Sequence, residues 1–247
     1  MPILVEACVD SVASALAAER GGAGRVELCD NLFDGGTTPS AGMISAVKAA
    51  VRIPVFVIVR PRGGGFVYTD DEIGVMRLDI EAAKMLGADG VVIGALTPDA
   101  RVNVEQLRTL VVAAGHLSVT FHRAFDLTQD RPQALEALMQ YGVARVLTSG
   151  GAPTALEGIE AIAALARRAA GQIVVMAGGG VREETVQEIV HRTGVSEVHV
   201  RGTRLARTPM TPAPDGIRLR KSPPPDEGAW EETDERRIRD YVRLANG

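Results

Sequence analysis

Short apolar runs recur along the chain, and most are followed by an amphipathic or Ala-rich stretch. Eight of these runs have the length and β-branched composition of strands. They cover residues 3–7, 25–29, 55–60, 90–94, 118–122, 145–149, 173–176 and 197–201. Their starts lie roughly 22 to 35 residues apart, which is the length of one βα unit. Four of the segments look alike, as expected of a repeated unit: GAGRVELC, GADGVVIG, GVARVLTSG and GVSEVHVRG.

The segments between the runs have the character of helices. Helices are predicted over 11–20, 70–86, 103–114, 131–141, 154–170, 183–192 and 233–244, and several open with residue types preferred at helix N-caps. Eight alternating βα units predict an α/β fold, a single-domain (β/α)8 barrel of the TIM type. An open doubly wound sheet is the alternative, but the first βα turn, ACVDSVASA, lacks the G-x-G-x-x-G fingerprint of that fold.

The alternating pattern lapses after the eighth run. The predicted organisation is a barrel core over 1–202, a proline-rich loop over 203–232 and a C-terminal helix over 233–247 that completes the barrel. Six prolines fall within 208–226, and this density favours a loop.

Composition narrows the functional classes. The 247 residues match one barrel, which typically needs about 250. A net charge of −4 and an aromatic content of 4% argue against nucleic-acid binding. No apolar run is long enough to span a membrane. The N-terminus lacks the basic segment of a signal peptide, and two cysteines provide no disulfide framework, so a cytoplasmic location is expected.

Alternation along the predicted strands directs polar side chains into the barrel. The helices cover the outside, so the apolar face of each strand points outward and the opposite face points inward. The inward set includes Glu6, Cys8, Arg25, Glu27, Cys29, Arg60, His122, Leu147 and His199. Buried charges are costly unless they are paired, so this set indicates either a site or a polar network that only fixes packing.

The two cysteines fall at the C-terminal ends of neighbouring strands. Because Cys8 and Cys29 share the inward face, their sulfurs are expected to lie close together. Thiolates select Cu(I), and two sulfurs are too few for a structural zinc site. The alternative interpretation is that both are small buried hydrophobic residues.

Two further motifs suggest anion binding and acid–base chemistry. RPRGGG supplies Arg60 and Arg62 as a candidate clamp for a carboxylate or phosphate. FHRAFD supplies His122, Arg123 and Asp126 at a position where barrels carry functional residues. The candidate catalytic residues are Glu6, Glu27, His122 and Asp126, since a histidine beside carboxylates can transfer protons near neutral pH. Solvated arginines in a flexible loop and a structural histidine are the alternatives.

Glycine-rich turns follow the later strands. Ser149 and Gly150 follow the sixth strand, and Gly179 and Gly180 follow the seventh. Barrels often bind phosphate with the loops after strands seven and eight, so these residues, with His199, join the candidate ligand-binding set. Glycine turns also meet ordinary steric needs, which keeps this signal weak.

Long segments of the chain resemble the copper homeostasis protein CutC family. They are VEACVDSVASALAAERGGAGRVELC, GGTTPSAG, IPVFVIVRPRGGGFVYTDDE, VTFHRAFDLT, ARVLTSGGAPTALEG and IVVMAGGGVR. The resemblance implies a cytoplasmic TIM-type barrel that forms homo-oligomers, dimers or tetramers. It also implies Cu(I) binding through Cys8 and Cys29, with no catalysed reaction attached. The chain departs from the family pattern at Gly65, where Asp is usual, and at Arg201, where Ser is usual and the Arg adds a positive charge at the barrel mouth.

Two hypotheses follow for function. The first is a cytoplasmic copper homeostasis protein that binds Cu(I) at the barrel mouth. The alternative is an enzyme or binder that acts on a small phosphorylated or carboxylated metabolite. Either hypothesis makes the partner a copper ion or a small anion, with no nucleic acid or membrane. A purely structural role fits the polar lumen less well.

Overall fold

The computed structural model describes residues 2–208 and 228–247. Eight parallel strands close into a barrel in chain order, β1 to β8. They are β1 (Leu4–Val9), β2 (Arg25–Leu28), β3 (Val55–Ile58), β4 (Gly90–Ile93), β5 (Ser118–Phe121), β6 (Arg145–Thr148), β7 (Val174–Ala177) and β8 (Glu197–Val200). The predicted TIM-type barrel is confirmed, and β1 closes it by pairing with both β2 and β8.

Helices follow the strands and cover the outside of the barrel. They are α1 (Val12–Arg20), α2 (Ala41–Ala50), α3 (Asp70–Met85), α4 (Val104–Ala114), α5 (Arg131–Gln140), α6 (Ile159–Ala169) and α7 (Glu183–Thr193). Side chains of Ser11, Ser40 and Asn103 accept backbone N–H groups at the starts of α1, α2 and α4. Thr69 and Glu72 form a capping box at the start of α3.

Of these seven helices, α2 and α6 differ most from the sequence prediction. The pattern gave no helix over 41–50, where α2 forms behind its Ser40 cap. The helix predicted over 154–170 begins only at Ile159, because the preceding residues form a turn against the end of β6. A Cβ atom on Gly158 in that turn would lie 1.8 Å from the Ser149 carbonyl oxygen, so only glycine fits this close approach.

The two faces of the strands pack into separate apolar clusters. Outward residues such as Val5 and Val26 belong to the large core between strands and helices. Inward residues form a smaller cluster of Cys8, Cys29 and Phe56 with Ile58 and Val92. The alternation of side chains therefore separates a scaffold outside the strands from a distinct environment inside them.

Two segments after β8 form a small sheet. β9 (Thr203–Arg207) and β10 (Ala229–Thr233) pair antiparallel, so these ends of the predicted 203–232 loop are strands. An ion pair between Arg204 and Glu232, 2.7 Å apart, joins them. The proline-rich stretch over 208–226 lies outside the described residues apart from Thr208.

The last helix, α8 (Glu235–Ala245), is capped by Asp234 and packs against α1 and α7. It begins two residues later than predicted, because Thr233 is the last residue of β10. In the described part of the chain, no helix is both long enough and apolar enough to cross a membrane.

Candidate functional site

Four charged side chains fill the barrel interior near the starts of the strands. This ion-pair layer consists of Glu6, Arg25, Arg145 and Glu197. Arg25 forms ion pairs with Glu6 and Glu197, and Arg145 Nε donates to Glu197 Oε2 at 2.6 Å. Both guanidinium groups also lie over the Phe56 ring, 4.9 and 5.2 Å from its centroid. The layer balances its own charges, which is what a packing network requires.

Sequence reasoning named neither Arg145 nor Glu197 as an interior residue. The signal was present, because Arg145 lies two residues before the inward Leu147 and Glu197 two before the inward His199. Both are buried in the structure. Glu6, a predicted catalytic residue, belongs to this layer and is fully buried.

The two cysteines meet above this layer, as their strand positions predict. Cys8 Sγ and Cys29 Sγ are 3.8 Å apart, and both thiols are free. The Glu27 carboxylate joins them, and the ligand atoms of the three residues lie within 4.8 Å of one another. All three residues are buried. We call Cys8, Glu27 and Cys29 the thiol cluster.

His199 connects the thiol cluster to the ion-pair layer. Its Nδ1 lies 2.8 Å from Glu6 Oε1, and its Nε2 lies 3.7 Å from Glu27 Oε2. Burial alone would lower the pKa of His199, but hydrogen bonds with Cys8 and Glu6 raise it well above its usual value. Burial would likewise raise the pKa of Glu6, but Arg25 and His199 lower it to about 2. His199 is therefore held as an imidazolium between two carboxyl groups.

The thiols of the cluster differ in acidity. The hydrogen bond with Cys29 lowers the pKa of the Cys8 thiol to about 5, against the effect of burial and with the help of His199. The same hydrogen bond and burial raise the pKa of the Cys29 thiol. Burial also raises the pKa of Glu27, to about 8. At neutral pH the cluster thus carries one thiolate, which is the nucleophilic and metal-binding form of cysteine.

A cavity of about 430 Å³ opens beside the thiol cluster at the carboxyl end of the barrel. Nine predicted site residues line it: Cys8, Glu27, Cys29, Arg60, His122, Arg123, Gly179, Gly180 and His199. Arg201, which departs from the family pattern, lines it as well. The structure therefore brings together the two cysteines and most of the predicted cationic and glycine positions in one place.

Arg60 is buried in the cavity wall and holds the loops around it. Its guanidinium donates to the carbonyl oxygens of Asp34, Gly36 and Gly64 at 2.7 to 2.8 Å. It also lies 5.1 Å from the centroid of the Phe66 ring. These partners are neutral, so the positive charge stays available to an anion in the cavity.

His122 lies against the same Phe66 ring, with centroids 4.8 Å apart. Its Nδ1 accepts the Ala124 N–H at 3.1 Å, so the neutral ring carries its proton on Nε2. Burial and the charge of Arg60 lower the pKa of His122 to about 3. His122 is consequently a hydrogen-bond donor at neutral pH rather than a base.

Asp126, Ser149 and Gly150 lie in the loops after β5 and β6 and are not among the cavity-lining residues. The Asp126 carboxylate accepts the backbone N–H groups of Ser149 and Gly151, the Thr148 hydroxyl and Arg123 Nε. A Cβ atom on Gly150 would lie 2.6 Å from the Gly158 carbonyl oxygen. These predicted site residues are engaged in holding the turn after β6.

Arg62 is not among the residues that line the cavity. It forms an exposed ion pair with Glu72 and donates to the carbonyl oxygens of Gly65 and Val67. The RPRGGG motif therefore contributes one arginine to the cavity and one to an outer loop. A Cβ atom on Gly65 would meet no atom within 4 Å, so the steric surroundings do not explain its departure from the family pattern.

Comparison with known proteins adds family information to this geometry. The model of the CutC family matches residues 3–204. A copper homeostasis protein cutC homolog of Homo sapiens is 53% identical over 203 residues, covering 81% of this chain and 74% of that protein. A family protein CutC of Xylella fastidiosa is 46% identical over 241 residues, covering 97% of this chain and 88% of that protein.

Solved structures are similar as well. The crystal structure of CutC from Streptococcus agalactiae superposes with a TM-score of 0.77 at 38% identity, covering 80% of this chain and 97% of that chain. N-(5'-phosphoribosyl)anthranilate isomerase from Pyrococcus furiosus gives a TM-score of 0.59 at 16% identity, covering 98% of both chains. At that identity the second likeness shows the barrel fold alone.

Proposed function

Because the chain belongs to the CutC family, we propose that it is a copper homeostasis protein that binds Cu(I) through Cys8 and Cys29. One observation carries the proposal: two buried sulfurs 3.8 Å apart at the wall of a cavity. Soft thiolate ligands select Cu(I) over harder divalent cations. A structural zinc site would require four ligands, and the thiol cluster offers three.

Electrostatics support the same proposal. The lowered pKa of Cys8, about 5, supplies a thiolate before any metal arrives. The raised pKa of Glu27, about 8, keeps a second negative charge out of the cluster at neutral pH. The imidazolium of His199 then balances the Cys8 thiolate. The site needs reduced thiols, so we place the protein in the reducing cytoplasm.

The experiment is a Cu(I) titration of the reduced protein against a chromogenic Cu(I) chelator. The wild-type protein should bind one Cu(I), and the Cys8→Ser/Cys29→Ser variant should bind it at least about 100-fold more weakly, since even outer-shell changes cost 10–100-fold. The chain has no third cysteine for a control. The variant's thermal unfolding therefore has to match the wild type, and equal Cu(I) affinity in a folded double variant refutes the proposal.

A second candidate function is an enzyme or binder for a small anionic metabolite. The cationic and donor side chains of Arg60, His122, Arg123 and Arg201 in the cavity favour it. A ligand that binds only the folded state raises the thermal unfolding midpoint. A screen of sugar phosphates and carboxylates at millimolar concentration tests this candidate, and the lack of any stabilisation counts against it.

We also propose that the protein forms a homo-oligomer. Leu78 and Met85 on α3 and Val112 on α4 are 72%, 79% and 74% exposed, and the two helices pack against each other. Leu78 and Met85 are seven residues apart, so both lie on the same face of α3, and exposed apolar side chains grouped in this way are typical of protein interfaces. Light scattering should show a mass above one chain, and Leu78→Glu/Val112→Glu should reduce it. The control Leu127→Glu, at an exposed leucine outside these helices, should leave it unchanged. A monomeric wild type contradicts the proposal.

A further inference from the structure

The cavity lining contains unpartnered hydrogen-bond donors. In the ranges 2–208 and 228–247, five buried side-chain polar atoms lack a hydrogen-bond partner, and three belong to residues that line this cavity. They are Arg60 Nε, His122 Nε2 and Arg201 Nε. All three are N–H donors, since Nδ1 of His122 is the acceptor in its ring. Buried donors without acceptors are costly, so three of them around one cavity indicate a ligand that supplies acceptor oxygens.

Two of the three donors belong to arginines, and their positive charge favours an anion as the acceptor. Arg60 bonds to neutral carbonyls, as described above. Arg201 pairs with Glu231 through Nη2 at 2.9 Å, and its Nε has no hydrogen-bond partner among the described residues. A carboxylate has the geometry to accept from such a guanidinium N–H.

The thiol cluster in the same cavity offers soft sulfur ligands but is incomplete as a metal site. With a metal–thiolate distance of about 2.3 Å, the value for zinc, two sulfurs 3.8 Å apart subtend an angle of about 110° at the ion. This bent arrangement leaves a coordination position open. Glu27 offers an oxygen there, and oxygen is a harder ligand than Cu(I) prefers. A third sulfur from a bound molecule suits the position better.

Arg60 adjoins the thiol cluster through Gly36. A Cβ atom on Gly36 would lie 3.4 Å from Cys29 Sγ, and the carbonyl oxygen of Gly36 accepts from Arg60 Nη1 at 2.7 Å. One small molecule can therefore contact the sulfurs and the Arg60 guanidinium together. The cavity volume of about 430 Å³ lies within the range typical of small-molecule sites.

We infer that the cavity binds a small thiol that carries carboxylate groups, and that the sulfur of this thiol is the third ligand of Cu(I) beside Cys8 and Cys29. Its carboxylate groups accept from Arg60 and His122, which both lie against the Phe66 ring, and from Arg201 after β8. Binding is a ligand addition in which the thiol proton leaves to solvent and copper stays Cu(I), so no oxidant or reductant takes part. The inference rests on the Cu(I) site proposed above and names the form in which the ion is held.

The experiment is equilibrium dialysis of the Cu(I)-loaded protein against reduced glutathione, a thiol with two carboxylates. We expect one glutathione retained for each Cu(I). Arg201→Gln should weaken retention at least about tenfold, because a hydrogen bond to a charged group is lost, while Cu(I) stays bound. Arg62→Gln is the matched control, since the two arginine side chains are similarly exposed, 43% for Arg62 and 42% for Arg201, and Arg62 lies outside the cavity lining. Cysteamine, a thiol without a carboxylate, should be retained more weakly than glutathione.

The outcomes separate the two proposals. Failure of the wild-type protein to bind Cu(I) overturns both. Cu(I) binding without glutathione retention overturns only this inference, as does equal retention in Arg201→Gln and Arg62→Gln. Equal retention of S-methylglutathione with and without Cu(I) also overturns it, because the ligand would then be held as an anion without its sulfur. Copper-dependent retention that weakens in Arg201→Gln supports it.

Discussion

The ion-pair layer and the cavity above it lie in the same barrel, yet their buried polar groups differ in whether they find bonding partners. In the layer, each carboxylate meets an arginine, and the charges of Glu6, Arg25, Arg145 and Glu197 cancel. In the cavity, three N–H donors have no acceptor within residues 2–208 and 228–247, and the two sulfurs lie 3.8 Å apart. A buried charge therefore does not by itself identify a site. Buried donors that lack partners beside a cavity do identify a candidate site.

The largest expected effect comes from breaking the layer. Arg25→Met leaves Glu6 and Glu197 buried without their shared partner, which should cost about 3–5 kcal/mol of unfolding free energy. Denaturant unfolding measures it. Adding Glu6→Gln to Arg25→Met removes one uncompensated carboxylate and should recover part of the loss. A cost below about 1 kcal/mol for Arg25→Met would mean that the layer is not a closed network.

The next prediction concerns His122 in the cavity, whose protonation makes the stability of the fold depend on pH. The folded-state pKa of His122, about 3, lies below the unfolded value of 6.5. Between these values the unfolded chain binds a proton that the folded chain does not, so stability falls as pH falls from 6.5 towards 3. The slope from this group is at most about 1.4 kcal/mol per pH unit.

His122→Asn should remove that slope, and the exposed His116→Asn serves as its control. Urea unfolding at pH 7, 5.5 and 4.5 measures the three proteins in parallel. Wild type and His116→Asn should lose stability together on acidification, and His122→Asn should lose less. Parallel curves for all three would show that His122 is not held neutral by its surroundings.

Periodicity was sufficient to predict the barrel and the meeting of the two cysteines. Strand alternation depends only on local geometry, and the closed order of strands follows from eight repeated units. The α2 helix escaped prediction, although Ser40 caps it. β9 and β10 escaped because their pairing joins segments far apart in the chain, including the Arg204–Glu232 ion pair.

The site was predictable as a set of residues but not as a division of roles. Asp126 and His122 belong to one motif, FHRAFD, yet the carboxylate is engaged by loop donors while the imidazole keeps a free N–H. Which buried group finds a partner depends on loop positions that the sequence pattern does not specify. The same limit applies to Arg60 and Arg62.

A smaller effect tests the role of Asp126 as a loop anchor. Asp126→Asn replaces an acceptor oxygen with a donor NH₂ group among donors, so it should cost about 1–3 kcal/mol of unfolding free energy. Asp130→Asn is the control, because an N-cap that accepts only the Gln133 N–H keeps its function as Asn. Denaturant unfolding again provides the measurement. Equal stabilities of the two variants would mean that the Asp126 carboxylate does not anchor the turn after β6.

The smallest effect is expected at Arg62, which belongs neither to the ion-pair layer nor to the cavity lining. Its ion pair with Glu72 is exposed, and exposed pairs contribute little because water screens them. Arg62→Gln should therefore leave the thermal unfolding midpoint within the scatter of repeated measurements and leave Cu(I) affinity unchanged. If Arg62→Gln weakened thiol binding as much as Arg201→Gln, the whole RPRGGG loop would have to close over the cavity in solution. Arg62 would then be available to a ligand although it is not one of the cavity-lining residues.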